Sequence, residues 1–462
     1  MAMGRRGTNG VEGTPEFWVT CTDIAKSPGH PFYQKLNQLL EKYGFDRFCE
    51  EHCAPSYDDH RGRPSIPPGI YFRMLLLGYF ESLSSERAIA WRCADSMSVR
   101  EFLGYSLTQG TPDHSSLSRI RQRLPLEIYQ EVFQRILKIL QDEGLLKGET
   151  LGVDANTLEA NAAMSTLVRK VDGKSYEAFL KELAENAGME NPRKEALAKM
   201  DRNRKDKGCS NKDWHNPNDL DARVTKMKDG TTHFAYKAEH AVDLDTGALT
   251  SAVIHPADQG DTETLWATLA EATENLATVK EQAGQAVNVV TECVTDKGYH
   301  SASTLVALEQ TGIRSYVSEP DRGRRSWKAA GEQAEHKAEQ KQAVYKNRRR
   351  IKGTRAKRLQ RKRAELLERS FAHLLETGGL RRVWLRGLHN VWKRYLIHAC
   401  AFNLSLVMRK LCHVGTPRAL AALVRDLFQF LSRLRNAVSA ILDVVGTFKT
   451  DFAPKKVHEA LP

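Results

Sequence analysis

From Pro31 to about Leu146, apolar residues recur at three- and four-residue steps, the spacing of one helix face. The segments FYQKLNQLLEKYGFDRF, PPGIYFRMLLLGYFESL and LEIYQEVFQRILKIL carry this period most clearly. Pro67–Pro68 opens one helix, because proline is tolerated in a first turn. TPDHSSLSRIRQRL reads as a cap at Ser115 or Ser116 followed by a short basic helix, a candidate helix-turn-helix element over Ser115 to Leu124. The period changes at Gly148, where ETLGVDANTL puts a short apolar strand in front of Asp154. A polar stretch follows, helical around Tyr176 to Met200 and loop-like at DKGCSNKDWHNPNDL.

THFAYKAEHAVDLDTGALTSAVIHPAD predicts two strands joined at a turn, Asp245-Thr246-Gly247. DTETLWATLAEATENL predicts a helix capped by Asp261 or Thr262, and AVNVVTECVTDKGYH a buried strand ending at Asp296. A short helix, SASTLVALEQTG, and a strand, IRSYVSE, come next; ELLERSFAHLLE and the apolar segments after Trp384 are helical. The order predicts an α/β fold in which hairpin strands join a mixed sheet. The expected organisation is a polar arm at 1–30, an all-helical N-terminal domain at 31–147 that could touch DNA, a mixed-sheet domain at 148–383 and a helical C-terminal region at 384–462. Within the sheet domain, 165–230 is a polar insertion and 322–363 a basic segment.

Composition narrows the function. Lys and Arg total 69 against 57 Asp and Glu, a net charge of +12 over 462 residues. No uninterrupted apolar stretch approaches the roughly 20 residues of a membrane span; the richest, Tyr395 to Met408, is broken by His398, Asn403 and Ser405. The first residues lack the apolar core of a secretory signal, and eight cysteines are too few for a disulfide scaffold, so a reducing, cytoplasmic setting is expected. Cys49, His52 and Cys53 lack a fourth zinc ligand at typical spacing and read as packing residues. No phosphate-binding loop ending in Lys-Ser/Thr is present, so ATP is not expected.

The surplus charge is concentrated. Tyr345 to Arg363, YKNRRRIKGTRAKRLQRKR, holds 11 Lys or Arg in 19 residues and no acid. Like charges at helical spacing repel, and nothing within the segment offsets them, so a polyanion is the expected partner. The candidate DNA-binding residues are Arg348, Arg349, Arg350, Lys352, Arg355, Lys357, Arg358, Arg361, Lys362 and Arg363, with Lys297 beside Asp296. Ile351 and Leu359 make no apolar face for a membrane surface.

Three acids stand where chemistry could use them. Asp154 and Asp296 follow strands, and two such residues on neighbouring parallel strands would project from one sheet edge. Glu368 lies on the following helix. Carboxylates gathered within ~4 Å repel by about 4 kcal/mol per pair at an effective dielectric near 20, so such a cluster needs cations. Oxygen donors select hard ions, Mg²⁺ or Mn²⁺, and two of them can serve phosphoryl transfer. His240 and Asp243, on a hairpin strand of the same sheet, could support this group.

Over roughly residues 60 to 415 the chain resembles bacterial insertion-sequence transposases of the DDE type, in the superfamily of insertion-sequence families four and five. The resemblance rests on GRPSIPPGIYFRMLLLGYF, LGVDANTLEANAAM, SNKDWHNPNDLDARVTKMKDG, THFAYKAEHAVD, VTDKGYHS, YVSEPDRGRR and ELLERSFAHL. It implies a ribonuclease-H-like catalytic domain, two divalent metals, cleavage and transfer of double-stranded DNA at terminal inverted repeats, at least a homodimer when active, and a place at the nucleoid. It implies Asp154, Asp296 and Glu368 as the catalytic and metal-binding acids. Many members place Tyr seven and Arg four residues before the third acid, with Lys seven after it. Counted from Glu368 these positions hold Arg361, Ala364 and Leu375; counted from Glu365 they hold Arg358, Arg361 and Ala372. The E-R-x-F context favours Glu368, with Glu365 on the same helix face. The rival readings are a nuclease of the same fold that cuts without joining, and a transposase-derived DNA-binding protein with a decayed site.

Overall fold

A computed structural model of the chain describes residues 29–58, 65–189, 192–204, 210–227, 230–284, 290–321, 323, 325–327 and 332–451. Apart from its last two residues, the expected N-terminal arm lies outside them. Seven helices come first: α1 (Pro31–Lys42), α2 (Phe45–Cys53), α3 (Pro68–Phe80), α4 (Glu86–Asp95), α5 (Met97–Phe102), α6 (His114–Arg123) and α7 (Leu126–Asp142). α3 is apolar around nearly its whole circumference, so it is buried from Tyr71 to Phe80. Arg73 is its one charged residue, held at 2.7 Å by Asp46. Cys49 and Cys53 are packed in this core. α6 is capped at Asp113, two residues before Ser115, the earlier of the two expected caps. Asp113 accepts from the Ser115 N–H at 2.8 Å, a carboxylate being well suited to the positive end of a helix.

The sheet domain has strands β1 (Thr150–Glu159), β2 (Val168–Arg169), β3 (Trp214–His215), β4 (Arg223–Lys226), β5 (Thr232–Asp243), β6 (Leu249–Pro256), β7 (Glu292–Thr295) and β8 (Arg314–Val317). β2 and β3 form a separate two-stranded sheet. In the main sheet β6, β5 and β1 are antiparallel neighbours, β7 and β8 follow parallel to β1, and β4 pairs with the start of β5. This is the expected α/β class, a ribonuclease-H-like mixed sheet flanked by helical N- and C-terminal regions. The hairpin turns where expected, with Gly247 at φ +81°, a conformation glycine adopts without strain.

One boundary differs. β1 does not end at Asp154 but runs on to Glu159, because β5 pairs with it along its length, from Leu151↔Asp243 through Asp154↔His240 to Glu159↔Ala235.

Helices cover both faces. In the polar insertion α8 (Tyr176–Asn186) and α9 (Lys194–Asn203) share a small apolar cluster of Leu180, Ala184 and Leu197. α10 (Asp261–Gln282) packs on one face of the sheet. Its cap is Gly260, with Glu263 reaching back to the Gly260 N–H, rather than Asp261 or Thr262. α11 (Ala302–Gln310) joins β7 to β8, and α12 (Glu332–Ile351) packs against α11 and β8. α13 (Thr354–Ala372) crosses the other face over β1 and β7. It therefore contains both the second half of the basic run and the ELLERSF sequence, which the pattern had separated.

Gly152 admits α13: a Cβ there would lie 2.7 Å from Leu244 Cδ2, 3.2 Å from Arg363 Cγ and 3.3 Å from Leu367 Cδ1. α14 (Leu388–Cys412) borders β6, where the Asn403 amide pairs with both Leu249 backbone groups at 2.9 Å and Trp392 donates to the Ala252 carbonyl. The strand's unpaired edge is thus covered. α15 (Pro417–Asp451) ends the described chain. Among the described residues no helix is long and apolar enough to cross a membrane.

Candidate active site: an acidic pair beneath a basic helix

β1 and β7 run parallel with Thr150, Leu151 and Gly152 opposite Glu292, Cys293 and Val294. Two residues further on, that register sets Asp154 beside Asp296, on the sheet face that α13 covers. Asp296 stands at the end of β7, where it caps a short turn by accepting from the Gly298 N–H at 2.8 Å. Burial pushes the Asp154 carboxyl above the usual carboxylate range; Arg363 and the Ala155 N–H pull it back, and the charge of Asp296 pushes it up again. Arg363 Nη1 lies 2.9 Å from Asp154 Oδ2. A guanidinium on α13 therefore offsets the charge that a carboxylate pair concentrates there.

Asp154 and Glu368 line the same open cleft, of about 680 Å³, with Asn156, Arg363, Phe371, Glu376 and Arg381. Glu365 is not part of that lining; it pairs with Arg369 at 2.5 Å on an exposed surface. Asp296 lies outside the lining as well. Among the described residues no three His, Cys, Asp or Glu side chains are close enough to hold one ion. The two aspartates are hard oxygen donors at matched strand positions and fit Mg²⁺ or Mn²⁺. Glu368 faces the cleft from outside that pair.

The opposite face fixes the turn after Asp296. The buried Glu239 accepts from Tyr299 Oη at 2.7 Å, Thr264 Oγ1 at 2.8 Å and Thr268 Oγ1 at 2.5 Å. Lys237, also buried, pairs with Asp261 at 2.7 Å. Burial pushes the Glu239 carboxyl up, and these donors and Lys237 oppose the shift. This network joins residues far apart in the chain, and only its two strand charges are legible in the sequence. Lys237 and Glu239 sit two apart in a strand, so both charges point into the same covered layer.

His240 and Asp243 have other tasks. His240 bonds Ser370 at 2.8 Å and Tyr395 at 2.7 Å and stacks on Phe371 at 4.0 Å, joining α13 and α14 to β5. Burial lowers its pKa to about 3, so the ring is neutral. Asp243 binds the Lys147, Gly148 and Asp245 N–H groups and the Thr246 hydroxyl, and so organises the hairpin turn.

The basic segment divides into two sets. Acids from elsewhere in the chain engage part of it: Arg348 pairs with Glu319 at 2.6 Å, Arg355 with Glu292 at 2.6 Å, Lys362 with Asp245 at 3.2 Å and Arg363 with Asp154. Arg350 donates to Ser315. Arg349, Lys352, Lys357, Arg358 and Arg361 are exposed and make no side-chain ion pair or hydrogen bond among the described residues. Lys297 is exposed beside Asp296. Gln360, between these groups, donates to the Thr295 and Tyr316 carbonyls at 3.0 and 2.7 Å, seating α13 across the ends of β7 and β8.

Comparison with known proteins yields two family matches. Residues 21–123 match a transposase domain (DUF772), and residues 204–404 match a transposase DDE domain. The second match includes Asp296 and Glu368; Asp154 falls between the two. No curated protein and no solved structure matches the chain. With a transposase domain before the sheet, a DDE domain through it and a ribonuclease-H-like strand order, the chain belongs to the insertion-sequence transposases of the DDE type.

Proposed function

We propose that this transposase binds the terminal inverted repeats of its own element, cuts the 3′ ends with water as nucleophile and joins the freed 3′-hydroxyls to target DNA. The observation that carries this reading is the shared register of Asp154 and Asp296 beneath a helix that bears Glu368 and an exposed basic row. Transposases of this type generally use divalent metals. Asp154 and Asp296 would hold two such ions, Mg²⁺ or Mn²⁺, with Glu368 completing their shell. Bound there, the ions supply activation of the attacking hydroxyl and stabilisation of the leaving oxygen.

The protein's own groups supply the rest. Arg349, Lys352, Lys357, Arg358, Arg361 and Lys297 attract and align the phosphates. Arg363 orients Asp154 and favours its ionised form against the effect of burial. Because two element ends must be joined, the active form is at least a dimer.

The test is a nicking assay on an end-containing duplex with Mg²⁺. The Asp296→Asn protein is expected to bind the duplex but leave it intact. Nicking by that protein would overturn the assignment. A second assay with pre-cut ends separates joining from cutting alone.

A further inference from the structure

A second cavity, of about 340 Å³, lies between the N-terminal helices and α14. Ser84, Ser85, Glu86 and Arg87 at the start of α4 form one wall, and His114, Ser118 and Arg121 on α6 another. Arg382, Trp384 and Arg394 complete it over an apolar floor that includes Val383 and Val391.

Of the four arginines in its lining, Arg121 pairs with Glu86 and Arg382 with Glu159, so Arg87 and Arg394 leave the cavity a surplus of positive charge. Glu86 is engaged by Arg121 and by the Ser118 hydroxyl at 2.5 Å. Arg394 is then left without a carboxylate of its own. It is only 8% exposed; one amino group donates to the Leu83 carbonyl at 2.8 Å, and the other, Nη1, has no hydrogen-bond partner. Arg121 Nε is also unpartnered. Both atoms are sealed from solvent, so they lend the wall uncompensated positive charge, which favours an anion in the cavity beside them. Burial lowers the Arg394 pKa to about 10, the direction expected of a cation short of counter-charge. At the mouth the Arg382 guanidinium lies over the Trp384 ring, 5.0 Å from its centre, and Arg87 is exposed.

We propose that this cavity is a phosphate-binding site, and that its occupant is a backbone phosphate of the DNA bound at the cleft. The placement favours DNA over a free anion. Arg381 lines the Asp154 cleft and Arg382 lines this cavity, so adjacent residues form the ridge between the two. β1 runs from one to the other: Asp154 lies in the cleft, and Glu159 pairs with Arg382 and accepts from the Val383 N–H at 2.9 Å. A strand crossing the ridge would meet both. Guanidinium groups match the planar fork of two phosphate oxygens, and the Ser84 and Ser85 hydroxyls offer further donors.

The inference rests on the DNA reading above, and its test separates the two. The full-length protein is heated with inorganic phosphate and with chloride at equal ionic strength, and its affinity for an end-containing duplex is measured against salt. Wild type is expected to melt higher in phosphate, and Arg394→Gln to lose that gain. In the duplex assay Arg394→Gln should reduce the salt slope by about one, the contribution of a single phosphate contact. Should Arg394→Gln fail to fold, Arg87→Gln and Arg382→Gln on the exposed rim give the same two readouts.

Phosphate protection with an unchanged duplex slope would overturn DNA as the source. Neither protection nor a slope change would overturn the site itself. Protection in a protein that binds no duplex would sink the proposed function while leaving a free-anion site.

Discussion

Tyr299 donates its hydroxyl to the buried Glu239 at 2.7 Å, three residues after Asp296 and on the sheet face opposite to it. The loop carrying Asp296 is thereby tied to β5 and, through Thr264 and Thr268, to α10. A hydrogen bond to a charged acceptor contributes about 1.5–3 kcal/mol, and breaking this one also leaves Glu239 less satisfied. Tyr299→Phe should lower unfolding stability by about that amount. It should also slow nicking while duplex affinity holds, since the aspartate would lose its anchor and the basic surface would not. Denaturant titration and single-turnover nicking check both halves; an unaffected nicking rate would mean that the turn holds its shape without the tether.

The two candidates for the third acid differ in surroundings. Glu368 faces the cleft with Asp154, whereas Glu365 is paired with Arg369 in the open. Glu368→Gln should reduce nicking by at least about 100-fold, the scale on which losing one group that stabilises developing charge is felt. Glu365→Gln should change it less than about threefold, since exposed ion pairs contribute little. The reverse ranking would transfer the role to Glu365.

Salt dependence should sort the basic segment. Replacing Arg358 and Arg361 together by Gln should reduce the slope of log affinity against log salt by about two, near 0.9 per phosphate contact. Arg348→Gln should leave the slope unchanged, because Glu319 already engages that side chain at 2.6 Å. Equal effects from both would show that DNA displaces the internal pair.

Three buried histidines give stability a definite pH dependence. Burial lowers His240 to about 3 and His255 to about 4, and holds His398 well below its ordinary value. In the unfolded chain each binds a proton near pH 6.5. Their contribution is therefore complete above that pH and is lost as the pH falls from about 6.5 toward 4. Each group adds up to about 1.4 kcal/mol per pH unit to the slope of stability in that window. His240→Gln should reduce the slope between pH 6 and 5 by one such amount. An unchanged slope would place the proton uptake elsewhere.

Much of the fold could be read from the chain because its elements are locally determined. The apolar circumference of α3, the Asp245-Thr246-Gly247 turn and the short apolar run before Asp296 each follow from neighbouring residues alone. What escaped depends on partners distant in sequence. β1 outlasts its apolar run because β5 supplies a pairing partner as far as Glu159, and the strand's polar end carries no sign of this. The basic run shows no acid within itself, yet Glu292, Glu319, Asp245 and Asp154 reach it from separate strands and loops. Asp154 and Asp296 could be named from their strands, but the guanidinium between Asp154 and α13 could not. That contact needs Gly152, whose missing side chain is informative only once the helix is seen above it.

The break at Gly353 and the unbroken run of α13 from Thr354 to Ala372 bear on how such a chain tolerates change. Arg361, Arg363 and Glu368 share one helix, whose winding sets Arg361 and Glu368 on one face and turns Arg363 away from them toward Asp154. Inserting or deleting a single residue between Arg363 and Glu368 would rotate the glutamate by about 100° relative to the arginine, and slide it about 1.5 Å along the axis. Within these few residues the spacing is a matter of phase, and drift in length there would uncouple the contact with Asp154 from the third acid at a stroke.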